Sequence, residues 1–129
     1  MAEVFIYNVS GEKLRRIRVA LTRQGIRGRL VTPEEYGHPI GYLAGLEGFD
    51  PAEEPYAGDG FRDEMIVMSG LSSRQFSAFL DALRASRAAV ALKAVVTESN
   101  ARWDSPTLHA ALREERDTMH ELLAAKGKK

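Results

Sequence analysis

Displacing the chain by 62 positions against itself (66 − 4 = 62) superposes Val4 on Ile66, Ile6 on Met68, Ser10 on Ser72, Leu14 on Phe76, Ile17 on Phe79 and Leu21 on Leu83. The matched positions are spaced by two and then by three or four, the periods of a strand followed by a helix. A chain with that pattern written twice folds as two similar units sharing one core. In the first, Val4-Phe5-Ile6-Tyr7 is a β-branched and aromatic run that stops at the turn cluster Asn8-Val9-Ser10-Gly11, with Ser10 placed to cap a helix that Gly25 ends. A second strand is predicted over residues 26–31. In the other unit, residues 64–68 read as a strand and Ser72 with Gln75 as a capping box. Phe76, Phe79, Leu80 and Leu83 then form one helical face, and residues 89–96 a closing strand.

A length of 129 residues suits a single domain, 1–129. It divides into a first βαβ unit over 1–31, a long connection over 32–63, a second βαβ unit over 64–97 and a C-terminal helix over 105–125. Two βαβ units predict an α+β, ferredoxin-like (split βαβ) fold, a four-stranded antiparallel sheet with two helices on one face, plus the added helix. That last helix has Ser105 as cap and Pro106 in its first turn, with Leu108, Leu112, Met119 and Leu122 on a seam that Glu115 interrupts. Thr32-Pro33-Glu34-Glu35 carries helix-start chemistry, cut short by Gly37. The stretch 37–62 is longer than a compact domain keeps without purpose, which marks it as a functional insertion or a segment ordered against a partner.

Alternation along the strands says what the open face needs. With Val4 and Ile6 toward the helices, Phe5, Tyr7, Met65, Val67, Ala91, Lys93 and Val95 fall on the opposite face. That face is mostly apolar, so it requires a cover, either the last helix or a second subunit in a homodimer.

Composition narrows the functions. The absence of Cys removes disulfides, thiolate nucleophiles and Cys-ligated metal sites, and 44% hydrophobic residues exclude a disordered chain. No apolar run reaches the roughly 18 residues of a membrane span, and residues 1–9 lack the basic start of a signal peptide, so a cytoplasmic location and no membrane partner are expected. The 18 basic and 18 acidic side chains are segregated. Residues 13–29 carry seven cations and no acid, while 34–64 carry nine acids against Arg62 alone (1 − 9 = −8). The basic stretch reads as a solvated face pairing in part with the acidic one, with the terminal lysines Lys126, Lys128 and Lys129 as a tail.

Val4-Phe5-Ile6-Tyr7-Asn8-Val9 resembles the first ribonucleoprotein motif strand of the RNA-recognition motif. The resemblance implies that Phe5 stacks on a base; in that alternative Tyr7 lies beside it, and the local positive charge of the first helix offers Arg15, Arg16 and Arg23 to a phosphate backbone. Residues 64–68, however, lack the Gly and aromatic residues of that family's second motif, so Phe5 and Tyr7 read first as core. His109 and His120 stand about 16 Å apart along one helix, too far to share an ion, and read as surface residues. His38 has no acid or Ser at a diagnostic spacing, and the acids near Glu53 do not follow a calcium-loop pattern. No metal, no cofactor and no catalytic residue is therefore expected, which argues against an enzyme.

Gly37, Gly41 and Gly45 recur every four residues around Tyr42, a stripe that permits close backbone contact or approach to a ligand, with Ile40, Tyr42, Leu43 and Leu46 as a small lid. Thr-Pro-Glu-Glu-Tyr-Gly at 32–37, Gly-Tyr-Leu-Ala-Gly-Leu at 41–46 and Leu-Lys-Ala-Val-Val-Thr-Glu-Ser-Asn-Ala-Arg-Trp at 92–103 resemble a family of small bacterial proteins catalogued only as a domain of unknown function. The resemblance implies no activity, but it directs attention to Tyr36, Gly37, Gly41, Tyr42, Gly45, Leu46, Thr97, Asn100 and Trp103. The expectation is a non-catalytic domain that binds a protein or small molecule through Tyr36, Gly37, Gly41, Tyr42, Gly45, Asn100 and Trp103.

Overall fold

The computed structural model describes residues 2–127, with side chains as far as Met119. The expectations for His120, Leu122, Lys126, Lys128 and Lys129 lie outside the described side chains. Strand β1 (Glu3–Tyr7), helix α1 (Gly11–Arg23) and strand β2 (Arg27–Leu30) form the first unit; β3 (Met65–Ser69), α3 (Ser73–Ala85) and β4 (Leu92–Val95) form the second. Between them lie a 3-10 turn (Pro33–Glu35) and the short helix α2 (Ile40–Leu43). A second 3-10 turn (Asn100–Arg102) leads to α4 (Ser105–Gly127).

The repeat is structural. Both ends of β1 and α1 are carried onto both ends of β3 and α3 by the same displacement (3 + 62 = 65, 23 + 62 = 85). It also carries Asn8 (φ 62°) onto Gly70 (φ 73°), the sharp turn after each strand. The left-handed residue after each helix corresponds too, Gly25 (φ 68°) with Arg87 (φ 58°). Each is followed by a closing bond, Ile26 N–H to Leu21 O at 2.9 Å and Ala88 N–H to Leu83 O at 2.8 Å.

The sheet is mixed, which corrects the expected antiparallel one. Its order is β2-β1-β3-β4; β1 runs parallel to β2 and β3 to β4, and only the central β1–β3 pair is antiparallel. Each helix is long enough to serve as the crossover that a parallel pair needs, so each unit closes on its own second strand and nothing inserts between them. The split arrangement is therefore replaced by two intact βαβ units joined through their first strands.

Strand β4 also departs from expectation. Residues 89–91 stay out of the sheet, and three more residues separate α3 from β4 than α1 from β2 (92 − 27 = 65, against 62). An odd insertion reverses the alternation. Leu92, Ala94 and Val96, rather than Ala91, Lys93 and Val95, thus join the second face.

One core lies between the sheet and the helix pair, where Val4, Ile6, Ile66 and Met68 meet Ile17, Leu21, Phe79 and Leu83. A second covers the opposite face, where Phe5, Tyr7, Met65 and Val67 are buried under Tyr36, Ile40, Leu43 and Leu108. The chain's own connection and last helix supply this cover. The start of α4 differs from the expected cap: Asp104 Oδ1 accepts from Thr107 N–H at 2.9 Å. Ser105, freed from capping, hydrogen-bonds through its hydroxyl to that of Tyr7 at 2.8 Å inside the second core. At the first helix Ser10 holds the cap position, but its side chain makes no cap bond.

Candidate functional site

The two glycine- and aromatic-bearing stretches meet on the covered face. The Ile40 N–H at the start of α2 donates to Trp103 O at 2.8 Å, and Ser105 N–H donates to Tyr36 O at 3.2 Å. Tyr36, Gly37, Gly41 and Tyr42 are thus held beside the 97–103 turn that carries Asn100 and Trp103. Gly41 is buried because the ring of Phe49 lies where a side chain would project, 2.6 Å from an ideal Cβ. Gly45 ends α2 in the left-handed region (φ 73°) and lets the chain reverse toward Phe49. Gly37 faces Ala52 and Tyr56. The glycine stripe is therefore divided among three separate tasks.

Asn100 is occupied inside the fold. Its Oδ1 accepts from Thr97 N–H at 2.8 Å, its Nδ2 donates to Val95 O at 2.9 Å, and its own N–H donates to Thr97 Oγ1 at 3.1 Å. Tyr36 is buried, stacked on Phe61 with centroids 4.8 Å apart, and donates its hydroxyl to Asn8 Oδ1 at 3.4 Å. Burial raises its pKa above the ordinary tyrosine value. Only Tyr42 and Trp103 of the aromatic residues expected to bind stay open to solvent. The expected lid divides the same way, with Ile40 and Leu43 buried and Tyr42 and Leu46 exposed.

Next to this junction lies a groove of about 560 Å³, bounded by Leu46, Glu47 and Phe49 from the connection and by Val96, Thr97, Glu98, Ala101 and Arg102 from the end of β4 and the following turn. Leu46 is 43% exposed at its rim. Apolar walls with carboxylates at the margin and a single guanidinium can hold an aliphatic group and neutralise a cation beside it. Among the described residues, no three His, Asp or Glu side chains come together as a metal site. Phe49, Val96, Glu98, Ala101 and Arg102 escaped the sequence reading. The one usable signal was Phe49, the single large apolar side chain within the acidic stretch 47–54.

The nucleic-acid residues are placed differently. Phe5 and Tyr7 have no exposed surface, so a base reaches neither ring without displacing the cover. Arg15 and Arg16 share Glu12, the acid just ahead of the basic stretch, whose carboxyl is pulled down to about 2, chiefly by its hydrogen bond from Arg15. Arg16 also donates to Ser86 O at 3.1 Å, while Arg23 is exposed at the last turn of α1. Lys13 pairs with Glu64 and Arg29 with Glu35, so part of the basic stretch is neutralised by the acidic one.

His109 is buried, a correction to its expected surface position. It hydrogen-bonds through Nε2 to Asp63 Oδ2 at 2.8 Å and stacks on Phe61 at 4.1 Å. That bond, with Arg113 nearby, holds the Asp63 carboxyl below the usual aspartate value. Asn8 Nδ2 donates to the carbonyls of Phe61 and Asp63, both at 3.0 Å, which fastens the end of the connection to the turn after β1. His38 Nδ1 accepts from Ala52 N–H at 2.9 Å and so ties the connection to itself.

With this geometry in place, comparison adds one relationship. Residues 64–119 are similar to a domain of unknown function, DUF3783. The DUF3783-like stretch takes in the second unit, the 97–103 turn and α4 up to Met119. It therefore contains one wall of the groove, while the connection that supplies the other wall lies outside it. No curated protein and no solved structure matches the chain.

Proposed function

We propose that the protein is a non-catalytic binding domain, and that the groove between the connection and the 97–103 turn takes an apolar, positively charged segment of another protein. The observation that carries this reading is the apolar lining of the groove, exposed at Leu46 and half-buried at Phe49 and Val96, set against the carboxylates of Glu47 and Glu98. A connection with seven net negative charges over residues 32–63 (1 − 8 = −7) draws a cationic partner toward that surface before contact is made. Tyr42 and Trp103, each more than a third exposed, offer further apolar contact in the same region. The same reading takes the protein as bacterial, as the sequence resemblance implies, and as cytoplasmic, as expected from its lack of a long apolar run. Nucleic-acid binding would have to proceed through the arginines of α1 without Phe5 and Tyr7.

The test is titration of the folded protein with a labelled Lys-Leu-Leu-Lys peptide, beside Leu46→Asp and Glu98→Lys. Binding that weakens about tenfold in each variant supports the groove. Binding that neither substitution changes, or no binding at millimolar peptide, refutes it.

A further inference from the structure

The two outer edges of the sheet correspond in the internal repeat, yet they are finished differently. In β4 the Val96 N–H turns inward to Met68 O, so the Val95 carbonyl points away from the sheet, where Asn100 Nδ2 closes it. In β2 the N–H groups of Arg27 and Val31 turn inward to Ala2 O and Ile6 O. The peptide groups of Gly28 and Leu30 therefore point outward. Among the described residues, no side chain bonds to that edge as Asn100 does to the Val95 carbonyl of the other.

We propose that the β2 edge accepts an extended acidic peptide as a fifth strand. The backbone of Gly28 and Leu30 supplies the hydrogen bonds, and the side chains choose the partner. Leu30, 39% exposed, lies on the helix-bearing face, as does Gly28, whose ideal Cβ would meet Leu21. Arg27 and Arg29 project on the other face. Arg29 is already paired with Glu35, while Arg27 is exposed beside Glu3 in the register and has no ion pair among the described residues. A strand laid alongside would place alternate side chains next to these arginines and the rest next to Leu30, which calls for acidic and aliphatic residues in alternation. A second copy of the chain fits less well, because antiparallel pairing of β2 with itself brings arginines opposite arginines.

The experiment uses a dye-labelled eight-residue peptide alternating Glu and Val, the same peptide N-methylated at alternate residues, and a Lys/Val version, with hydrogen exchange at the Gly28 and Leu30 amides as a second readout. The Glu/Val peptide is expected to bind and to slow exchange at both amides. Binding should weaken about tenfold on N-methylation and in Arg27→Glu, with Arg27→Gln intermediate. Equal binding of the N-methylated or Lys/Val peptide, or unchanged exchange at Gly28 and Leu30, overturns the proposal. So does slowed exchange in concentrated protein without peptide, which assigns the edge to a second copy.

Discussion

Phe5 and Val67 face each other across the antiparallel β1–β3 pair, and each is the other's counterpart in the repeat (5 + 62 = 67). The local two-fold of the sheet runs between them, at the centre of the second core, where both are fully buried. Phe5→Ala should therefore act as a large cavity mutation and cost about 3–5 kcal/mol in urea unfolding, while Phe5→Leu keeps most of the stability. A change under 1 kcal/mol for Phe5→Ala would mean that the ring is not packed under the connection and α4.

The duplication was legible because its period is carried by large apolar residues at fixed spacing, from Val4 to Leu21 and from Ile66 to Leu83. Strand order was not, since an apolar alternation states which face a residue occupies and not which neighbour it pairs with. The phase of β4 was misread because Ala91, Lys93 and Val95 alternate as well as Leu92, Ala94 and Val96, and only the three-residue insertion after α3 decides between them. At the candidate site, the sequence brought out Tyr42 and Trp103 as aromatic residues in glycine- and turn-rich stretches. It could not show that Tyr36 and Asn100 are consumed by internal contacts, or that His109 meets Asp63, because those partners lie 28 to 46 positions away or depend on a turn geometry that spacing does not encode.

Asn100 secures the 97–103 turn and the outer edge of β4 at once. Asn100→Ala leaves the Thr97 N–H and the Val95 carbonyl without their partners, and the expected loss is about 2–4 kcal/mol by thermal or urea unfolding. Freeing the Val95 carbonyl also opens an edge, so light scattering should rise on storage of the variant relative to the parent. Unchanged stability would assign Asn100 a role outside the fold.

Gly41 and Gly37 separate packing from composition. Gly41→Ala drives a methyl group into the Phe49 ring and should cost about 1–3 kcal/mol. At Gly37 the nearest atom to an ideal Cβ is Ala52 Cβ at 3.6 Å, an ordinary contact, so Gly37→Ala should be neutral or stabilise by up to about 1 kcal/mol. Equal effects of the two, measured by urea titration, would contradict the placement of Phe49.

Tyr7 predicts an alkaline limb. Burial raises its pKa above the ordinary value of 10, with the Ser105 hydrogen bond opposing in part. Above that pH the unfolded chain releases a proton that the folded chain keeps, so stability is full below pH 10 and falls as the pH rises beyond it. Tyr7→Phe should cost about 1–2 kcal/mol at neutral pH by leaving the Ser105 hydroxyl unpaired, and should flatten the fall above pH 10. A variant with the parent's alkaline slope would place the effect on another group.

Amide chemical shifts followed during parallel titrations with the Lys-Leu-Leu-Lys peptide and with a mixed-sequence single-stranded RNA, at physiological salt, test the central claim most directly. The groove account predicts that the peptide moves Leu46, Val96, Thr97 and Ala101 together along one binding curve, and that RNA leaves Phe5, Tyr7 and their strand neighbours where they are. Peptide shifts scattered over the surface, or RNA shifts concentrated on β1 and β3 and abolished by Phe5→Leu, would contradict it.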